Sequence, residues 1–551
     1  MTPDLRQTQV VVVGAGPVGL MLAGELRLGG ADVVVLDRLT APTTESRAST
    51  LHARTMEILD SRGLLDALGP VPNDLMGHFG GVPLGLALPG PYPGQWKVLQ
   101  ARTEALLGTW ATGLGAVVRR GHEVVALTEH PDGVEVDAVG PDGPVRYRAL
   151  CVVGCDGEDS AVRRLGGFAF HGTDASRELL RADVAGIDVP DRRFQRLERG
   201  LAVAARRPDG VTRVMVHEFG RPVPVRAGAP DFAEIAATWQ RVTGEDISAG
   251  TPLWANAFDD TSRQVTRYRQ GRVFLAGDAA HVQMPVGGQA LNLGLQDAVN
   301  LGWKLAAHIA GRVPHDLLDT YHDERHAVGQ RVLGNIRAQA LLLLGGPETE
   351  AVREVFGELL RIPHARAHLA KMISALDVRH ATTADDHPSA GARLPIADLD
   401  TDRGPTTTSA LLRTGRGVLL DLTGDAAGGR RLAALARDWS PHVGVVHATA
   451  SAGGDPLEGA GAALVRPDGH IAWTGSDADP ALSDALRRWF GRPAPRRAPD
   501  GRAPEEPAPA RSRTAVPPGA AAPFLGRALA LLARRIPSPT PDRKDTPTDV
   551  E

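Results

Sequence analysis

Cysteine is nearly absent. Cys151 and Cys155 are the only two in 551 residues, and both fall in one apolar stretch. Two thiols so placed supply neither a disulfide framework nor a zinc-ligand quartet, so no metal site is expected and a reducing cytoplasm is. Long apolar runs are lacking too: nothing reaches the about 18 uninterrupted apolar residues that would mark a membrane span. The opening MTPDLRQTQ has no basic segment leading into an apolar one, so neither export nor membrane attachment is expected. Nor is one charge sign in excess. The chain has 61 basic and 65 acidic residues and a pI near 6.5, which argues against nucleic acid or a charged membrane surface as partner. Lysine is confined to Lys97, Lys304, Lys371 and Lys544, a bias that reflects a GC-rich genome, not chemistry.

What is present is long enough for several cores. At about 100 to 200 residues per domain the chain holds two to four units and can bury a whole cofactor. From Val10 to Leu36 an apolar run, a glycine turn, a 3.6-periodic segment and a second apolar run form the pattern of one βαβ unit, so the fold class is α/β with a parallel sheet. A second glycine-rich switch from strand to helix lies at 272–306, and the stretch between them is richer in alternating segments such as 210–218. The expected organisation is therefore an interrupted cofactor domain (1–75, 99–176, 269–390) carrying a sheet-based substrate insert (76–98, 177–268). Buried strands at 417–422 and 444–447 and a hairpin across 462–473, centred on Pro467-Asp468-Gly469, predict a separate α/β module at 391–490. The last 61 residues hold 13 of the 42 prolines, and 491–551 reads as a disordered tail in which 524–536 has the spacing of a short basic amphipathic helix.

Gly14-Ala15-Gly16-Pro17-Val18-Gly19 follows the apolar run 10–13 and opens a helix. Gly14 suits the tight turn, Gly16 lets backbone approach a pyrophosphate, and Gly19 lets helix pack on strand, while the helix N-terminus offers N–H donors to phosphate. Asp37 follows the second apolar run, 18 positions after Gly19, where a carboxylate can accept hydrogen bonds from ribose hydroxyls. With Pro17 and Arg38 beside them, these residues predict a bound dinucleotide. They do not distinguish flavin from nicotinamide.

Gly271-Arg272-Val273-Phe274-Leu275-Ala276-Gly277-Asp278-Ala279-Ala280-His281 and then Met284-Pro285-Val286-Gly287-Gly288-Gln289-Ala290-Leu291-Asn292 carry a resemblance. The chain is similar to the para-hydroxybenzoate hydroxylase family of class A flavoprotein monooxygenases, in its aromatic polyketide hydroxylase branch. That resemblance implies a Rossmann-like FAD-binding domain, with Asp278 after Gly277 reaching the ribityl chain. It also implies that Gly287, Gly288, Gln289, Ala290, Leu291 and Asn292 bring bare backbone and a helix N-terminus to the flavin ring, where positive dipole stabilises the anionic reduced state. Pro285 would lie beside the reaction centre as a positioning residue. The family's usual motif has glycine where this chain has Ala290, which is harmless only if φ there is negative.

A third match, Val152-Val153-Gly154-Cys155-Asp156-Gly157, resembles the family's Asp-Gly motif and implicates Asp156 in binding FAD and the nicotinamide donor. Arg47, whose fork suits pyrophosphate, and Gln100 follow from the same pattern. His281 is expected to pack beneath the loop rather than handle protons, and Trp239, Trp254 and Phe258 to be core or surface. Module 391–490 resembles the thioredoxin-like C-terminal domain of larger members; lacking CxxC, it cannot perform dithiol exchange and is expected to be structural or dimer-forming.

The implied function is hydroxylation of a phenolic aromatic, a polycyclic polyketide, with FAD, NADPH or NADH, and O₂, through a C4a-hydroperoxyflavin in a site that excludes water. The chain would act as a monomer or homodimer. Two other readings stay open: Baeyer-Villiger oxygenation of a related ketone, and a flavin-containing protein that binds an aromatic without turning it over. A flavin halogenase is disfavoured by the lack of a Trp-x-Trp-x-Ile-Pro segment.

Overall fold

Four valines in a row, Val10–Val13, form a strand buried on both faces, as branched side chains do at the centre of a parallel sheet. In the computed structural model, which describes residues 4–43, 48–226, 228–380, 387–450, 457, 459–475 and 480–493, this strand is the middle of a six-stranded sheet. The order is Arg269–Gln270, Val273–Leu275, Cys151–Gly154, Val10–Val13, Val33–Asp37 and Val117–Arg120. All pairs are parallel except that of the first two strands. Three segments far apart in the chain thus end side by side at one edge of one sheet.

The helix Pro17–Leu28 leaves the central strand and packs against Gln289–Ile309, a helix buried along nearly its whole length. A Cβ added to Gly302 would lie 2.4 Å from Glu25 Cβ, so the pair is close because glycine is there. A second sheet was not foreseen from the sequence. It pairs Asp4–Gln7, Gly143–Ala149, Gly133–Gly140 and Glu123–His130 in that order and adds Val134, Val136 and Tyr147 to the same core.

The insert is a five-stranded antiparallel sheet in the order Arg192–Leu197, Gly200–Arg206, Thr212–Glu218, Glu178–Ala185 and Thr251–Asp259. One face is covered by the helix Phe232–Thr243, which Asp231 caps at its N-terminus and left-handed Gly244 ends. Trp239 of that helix is core. The opposite face turns Leu179, Leu201 and Met215 toward Met284 and Val286, the neighbours of Pro285. Half-buried Trp254 and Phe258 flank the Arg181 guanidinium at 4.3 and 4.1 Å. A hairpin, Met76–Phe79 with Val82–Gly85, sits beside this region, whereas Gln95–Lys97 pairs with Thr50–His52 and Asn73–Asp74.

From 387 onward a βαβ unit, Gly417–Asp421, Ala426–Ala436 and parallel Val443–Ala450, is followed by the antiparallel hairpin Ala462–Val465 and Ile471–Gly475 and the helix Ala481–Phe490. Buried ion pairs join this part to the long helices. Arg466 donates to Glu324 Oε1 and Oε2 at 2.6 and 2.9 Å, and Trp303 Nε1 donates to Asp468 Oδ2 at 3.1 Å. Arg62, paired with Glu25 at 2.6 Å, also donates to the carbonyls of Leu412 and Pro467. The sequence expectations for 494–551, including the amphipathic segment 524–536, lie outside the described residues. No described helix is long and apolar enough to cross a membrane.

Candidate active site

The three glycine-bearing motifs meet at the carboxyl edge of the parallel sheet, where ligands of open α/β sheets bind. Gly14 has φ +103°, and a Cβ there would stand 2.3 Å from Cys155 O, so the first motif presses directly on the third. A Cβ on Gly277 would be 3.0 Å from Val18 Cγ2, and one on Gly294 only 3.0 Å from Gly277 Cα. The second motif therefore lies against the first fingerprint and the long helix together. Arg163 fastens it to the third, donating from Nη1 to Ala279 O at 3.0 Å.

Within this junction Gly16 is the open position. It caps the helix Pro17–Leu28 with φ −75° and no side-chain hydrogen bond, and a Cβ there would meet nothing within 4 Å. The uncapped N-terminal turn and the cleared approach suit a pyrophosphate. Asp37, at the end of its strand, accepts Ala15 N–H at 2.6 Å through Oδ2 and Leu39 N–H at 2.8 Å through Oδ1. Its carboxylate is thereby fixed over the glycine turn, with Arg38 exposed beside it. Asp156 has a local use: it accepts Ser160 Oγ–H at 2.5 Å and Val162 N–H at 3.1 Å, starting the helix Ala161–Leu165, and burial raises its pKa.

The strand Val273–Leu275 ends before a single 3₁₀ turn, Gly277–Ala279, that leaves Asp278 on the exposed side while Gly277 and Ala279 are buried. Beneath it lies an ion cluster that sequence reasoning missed. Asp297 Oδ2 accepts Gly277 N–H at 3.2 Å and His281 Nε2–H at 2.8 Å, and its Oδ1 accepts from Arg325 Nε at 2.7 Å. His281 is wholly buried, so it packs under the loop as expected.

Pro285 is exposed between buried Met284 and Val286. Gly287 and Gly288 follow at φ +68° and +67°, conformations that favour glycine, and the helix Gln289–Ile309 starts from Gly288 without a side-chain cap. Ala290 and Leu291 are half-buried in its first turn. Ala290 is not among the positive-φ residues, so its methyl imposes no backbone strain. Asn292 is a clamp: its Oδ1 accepts His52 N–H at 2.9 Å and Thr55 Oγ–H at 2.6 Å, and its Nδ2 donates to Gly288 O at 2.7 Å and Thr50 O at 3.1 Å. His52, also missed from sequence, pairs through Nε2 with Gly287 O at 2.9 Å, and burial lowers its pKa to about 4, so it is neutral and donates that bond. Gln100 Oε1 accepts Ala48 N–H at 3.2 Å. Arg47 lies outside the described residues. Among the described residues no group of acidic, histidine or cysteine side chains is placed to hold a metal.

The arrangement is one a dinucleotide flavin fits: cleared backbone and a bare helix end at Gly16, a carboxylate turn at Asp278, and a glycine loop and second helix end at 287–289. Comparison with known proteins agrees. Residues 7–335 match the FAD binding domain family and 387–493 the family described as aromatic-ring hydroxylase, C-terminal. The chain is 43% identical to a 12-dehydrotetracycline 5-monooxygenase/anhydrotetracycline 6-monooxygenase of Streptomyces rimosus subsp. rimosus, over 88% of this chain and 99% of that one. It is 39% identical to a dialkyldecalin synthase of Streptomyces rugosporus, over 88% and 98%. The crystal structure of an aromatic hydroxylase from angucycline biosynthesis superposes with a TM-score of 0.84 at 49% identity, over 88% and 99%. The chain therefore belongs to the FAD-dependent aromatic-ring hydroxylases.

Proposed function

We propose that this enzyme hydroxylates a phenolic, polycyclic polyketide aromatic, taking electrons from NADPH or NADH and one oxygen atom from O₂. The observation that carries the reading is the meeting of the Gly14–Gly19 and Gly277-Asp278 motifs at the carboxyl edge of the sheet, with Met284 and Val286 of the following loop packed on the insert's Leu179, Leu201 and Met215. Bound FAD would supply hydride acceptance and O₂ activation, which no side chain can.

The chain's own part is binding and placement. Gly14, Gly16, Pro17 and Gly19 would receive the pyrophosphate, with Arg47 and Gln100 beside it. Asp37 and Arg38 would flank the adenosine ribose, and Asp278 the ribityl hydroxyls. The Gly287–Asn292 segment would hold the ring's pyrimidine edge against a helix N-terminus, favouring negative charge there. Pro285, exposed between two buried neighbours, would set the substrate's distance from the ring, and the apolar face of the insert would exclude water. Asp156 would act through its turn, near the path of the nicotinamide donor. The module after 387, thioredoxin-like in its βαβ–ββα order, serves as a structural lock, and the enzyme works in the cytoplasm as a monomer or homodimer.

Turnover under ¹⁸O₂ with NADPH and a panel of hydroxyanthraquinones tests this reading. The expected product gains one labelled oxygen with its ring count unchanged. Ring expansion with the same label would instead indicate Baeyer-Villiger insertion. The relative named a dialkyldecalin synthase raises a second reading, ring formation without oxygen transfer, which would give isomerised, unlabelled product.

A further inference from the structure

Gln339 stands between two glycine turns. Gly80 closes the hairpin Met76–Phe79/Val82–Gly85 with φ +57°, and its N–H donates to Gln339 Oε1 at 3.4 Å. The same oxygen lies 3.0 Å from where a Cβ on Gly287 would be. From Gln339 a line of amides runs back to the glycine loop. Gln339 Nε2 donates to Asn335 Oδ1 at 3.2 Å, and Asn335 Nδ2 donates to Gln289 Oε1 at 3.0 Å. Gln289 Nε2 is buried and makes no hydrogen bond. All three side chains are buried, and the hairpin turn is held a second time by Arg353 Nη1, which donates to Gly80 O at 2.7 Å.

Three buried amides are an expensive way to fill space that Ile336, Ala340 and Leu343 fill nearby with hydrocarbon. Hydrogen bonds that link buried amides fix relative positions more than they add stability. Here the geometry specified is the offset between the hairpin and the loop at 287–289. A Cβ on Gly80 would come within 2.8 Å of Gln339 O, so the hairpin rests on the helix Asp319–Leu344 without room to slide.

We propose that Gln339 is a positioning residue that ties the insert's hairpin to the glycine loop, keeping substrate and flavin at one separation while oxygen is transferred. This rests on the flavin hydroxylase reading above. In coupled turnover NAD(P)H, H⁺, O₂ and the arene ArH give NAD(P)⁺, ArOH and H₂O. When the separation is wrong, NAD(P)H, H⁺ and O₂ give NAD(P)⁺ and H₂O₂, with ArH unchanged. Peroxide released per NAD(P)H consumed therefore reports the placement.

The experiment measures that ratio with hydroxyanthraquinones for wild type, Gln339→Met and Arg353→Met, together with FAD content and the rate of flavin reduction. Gln339→Met keeps volume and removes both hydrogen bonds. Arg353→Met leaves the amide chain intact and releases the carbonyls of Gly80 and Leu342 and the carboxylate of Glu350, so it reads the hairpin's attachment even where Gln339→Met does not fold. Both variants are expected to keep wild-type FAD content and reduction rate, and to raise the peroxide ratio about two- to tenfold, the factor one net hydrogen bond supplies. A wild-type peroxide ratio in a flavin-replete variant, or a rise that only tracks lost FAD, overturns the proposal while leaving the hydroxylase reading intact. A wild type that binds no FAD or oxygenates none of the panel overturns that reading and this inference with it.

Discussion

Asp297 Oδ2 accepts the Gly277 amide at 3.2 Å, so a carboxylate with no exposure to solvent holds the turn from which Asp278 projects. Burial pushes its pKa up, but Arg325 and His281 outweigh that and leave it below the ordinary carboxylate range. Asp297→Asn would leave the Arg325 guanidinium buried without its counter-charge, at a cost of about 3–5 kcal/mol. The expected outcome is a lower denaturant midpoint and FAD lost on ultrafiltration; an unchanged midpoint would show that the cluster does not support the turn.

The glycines of the first fingerprint separate folding from binding. Gly14→Ala places a methyl 2.3 Å from Cys155 O at φ +103°, so protein must move and stability should fall by more than about 1–2 kcal/mol. Gly16→Ala meets no protein atom and has an ordinary φ of −75°. It should unfold within about 0.5 kcal/mol of wild type yet bind FAD at least tenfold more weakly, since its methyl would occupy the pyrophosphate's approach. Calorimetry of both apoproteins with FAD titration checks the contrast.

Arg466 joins the C-terminal module to the long helix Asp319–Leu344 through Glu324, while also pairing with Asp468. Burial opposes all three charges, but their mutual attraction wins: the Glu324 and Asp468 carboxyls are held below their usual range and the guanidinium above its own. Arg466→Met leaves Asp468 buried without its counter-charge, while Glu324 keeps Lys304 at 2.8 Å, and should cost about 3–5 kcal/mol. Limited proteolysis should then release a fragment that carries the C-terminal module. Wild-type resistance would place the lock elsewhere.

His52 makes stability depend on pH. Its pKa drops from 6.5 to about 4, chiefly through burial, so between those values the unfolded chain binds more protons than the folded one. Stability therefore rises with pH across that window, and the contribution, roughly 3 kcal/mol at full extent, is complete above pH 6.5. His52→Gln is expected to flatten the pH dependence of the melting temperature from about pH 4 to 6.5. An unchanged slope would mean that His52 does not titrate with folding.

The glycine motifs were legible in the sequence because each states a backbone demand that few residues meet: a tight turn at Gly14, close packing at Gly19, left-handed loops at 287–288. The supports beneath them were not. His52, Asp297 and Gln339 act through partners far along the chain, and spacing alone does not reveal such pairs. One signal was available: a helix buried along nearly its whole length that carries Gln296, Asp297, Asn300 and Lys304 must pair each of them internally. Asp156 and Asn292, expected at the cofactor, also make hydrogen bonds within the protein: Asp156 to Ser160 and Val162 of its own turn, Asn292 to Thr50, His52 and Thr55 far along the chain. The sheet formed with Asp4–Gln7 was not legible although 134–138 and 145–149 alternate apolar with charged residues, because alternation marks a strand without naming its partner and the first strand precedes the fingerprint.

The visible absorption spectrum of the purified protein, beside that of Asp278→Ala, is the most direct test of two distant glycine segments gripping one FAD. The account predicts flavin bands with about one FAD per chain in the wild type, and a folded but flavin-poor, inactive variant. A correctly folded wild type that is colourless and takes up no added FAD, or an Asp278→Ala protein with full flavin content, would contradict it.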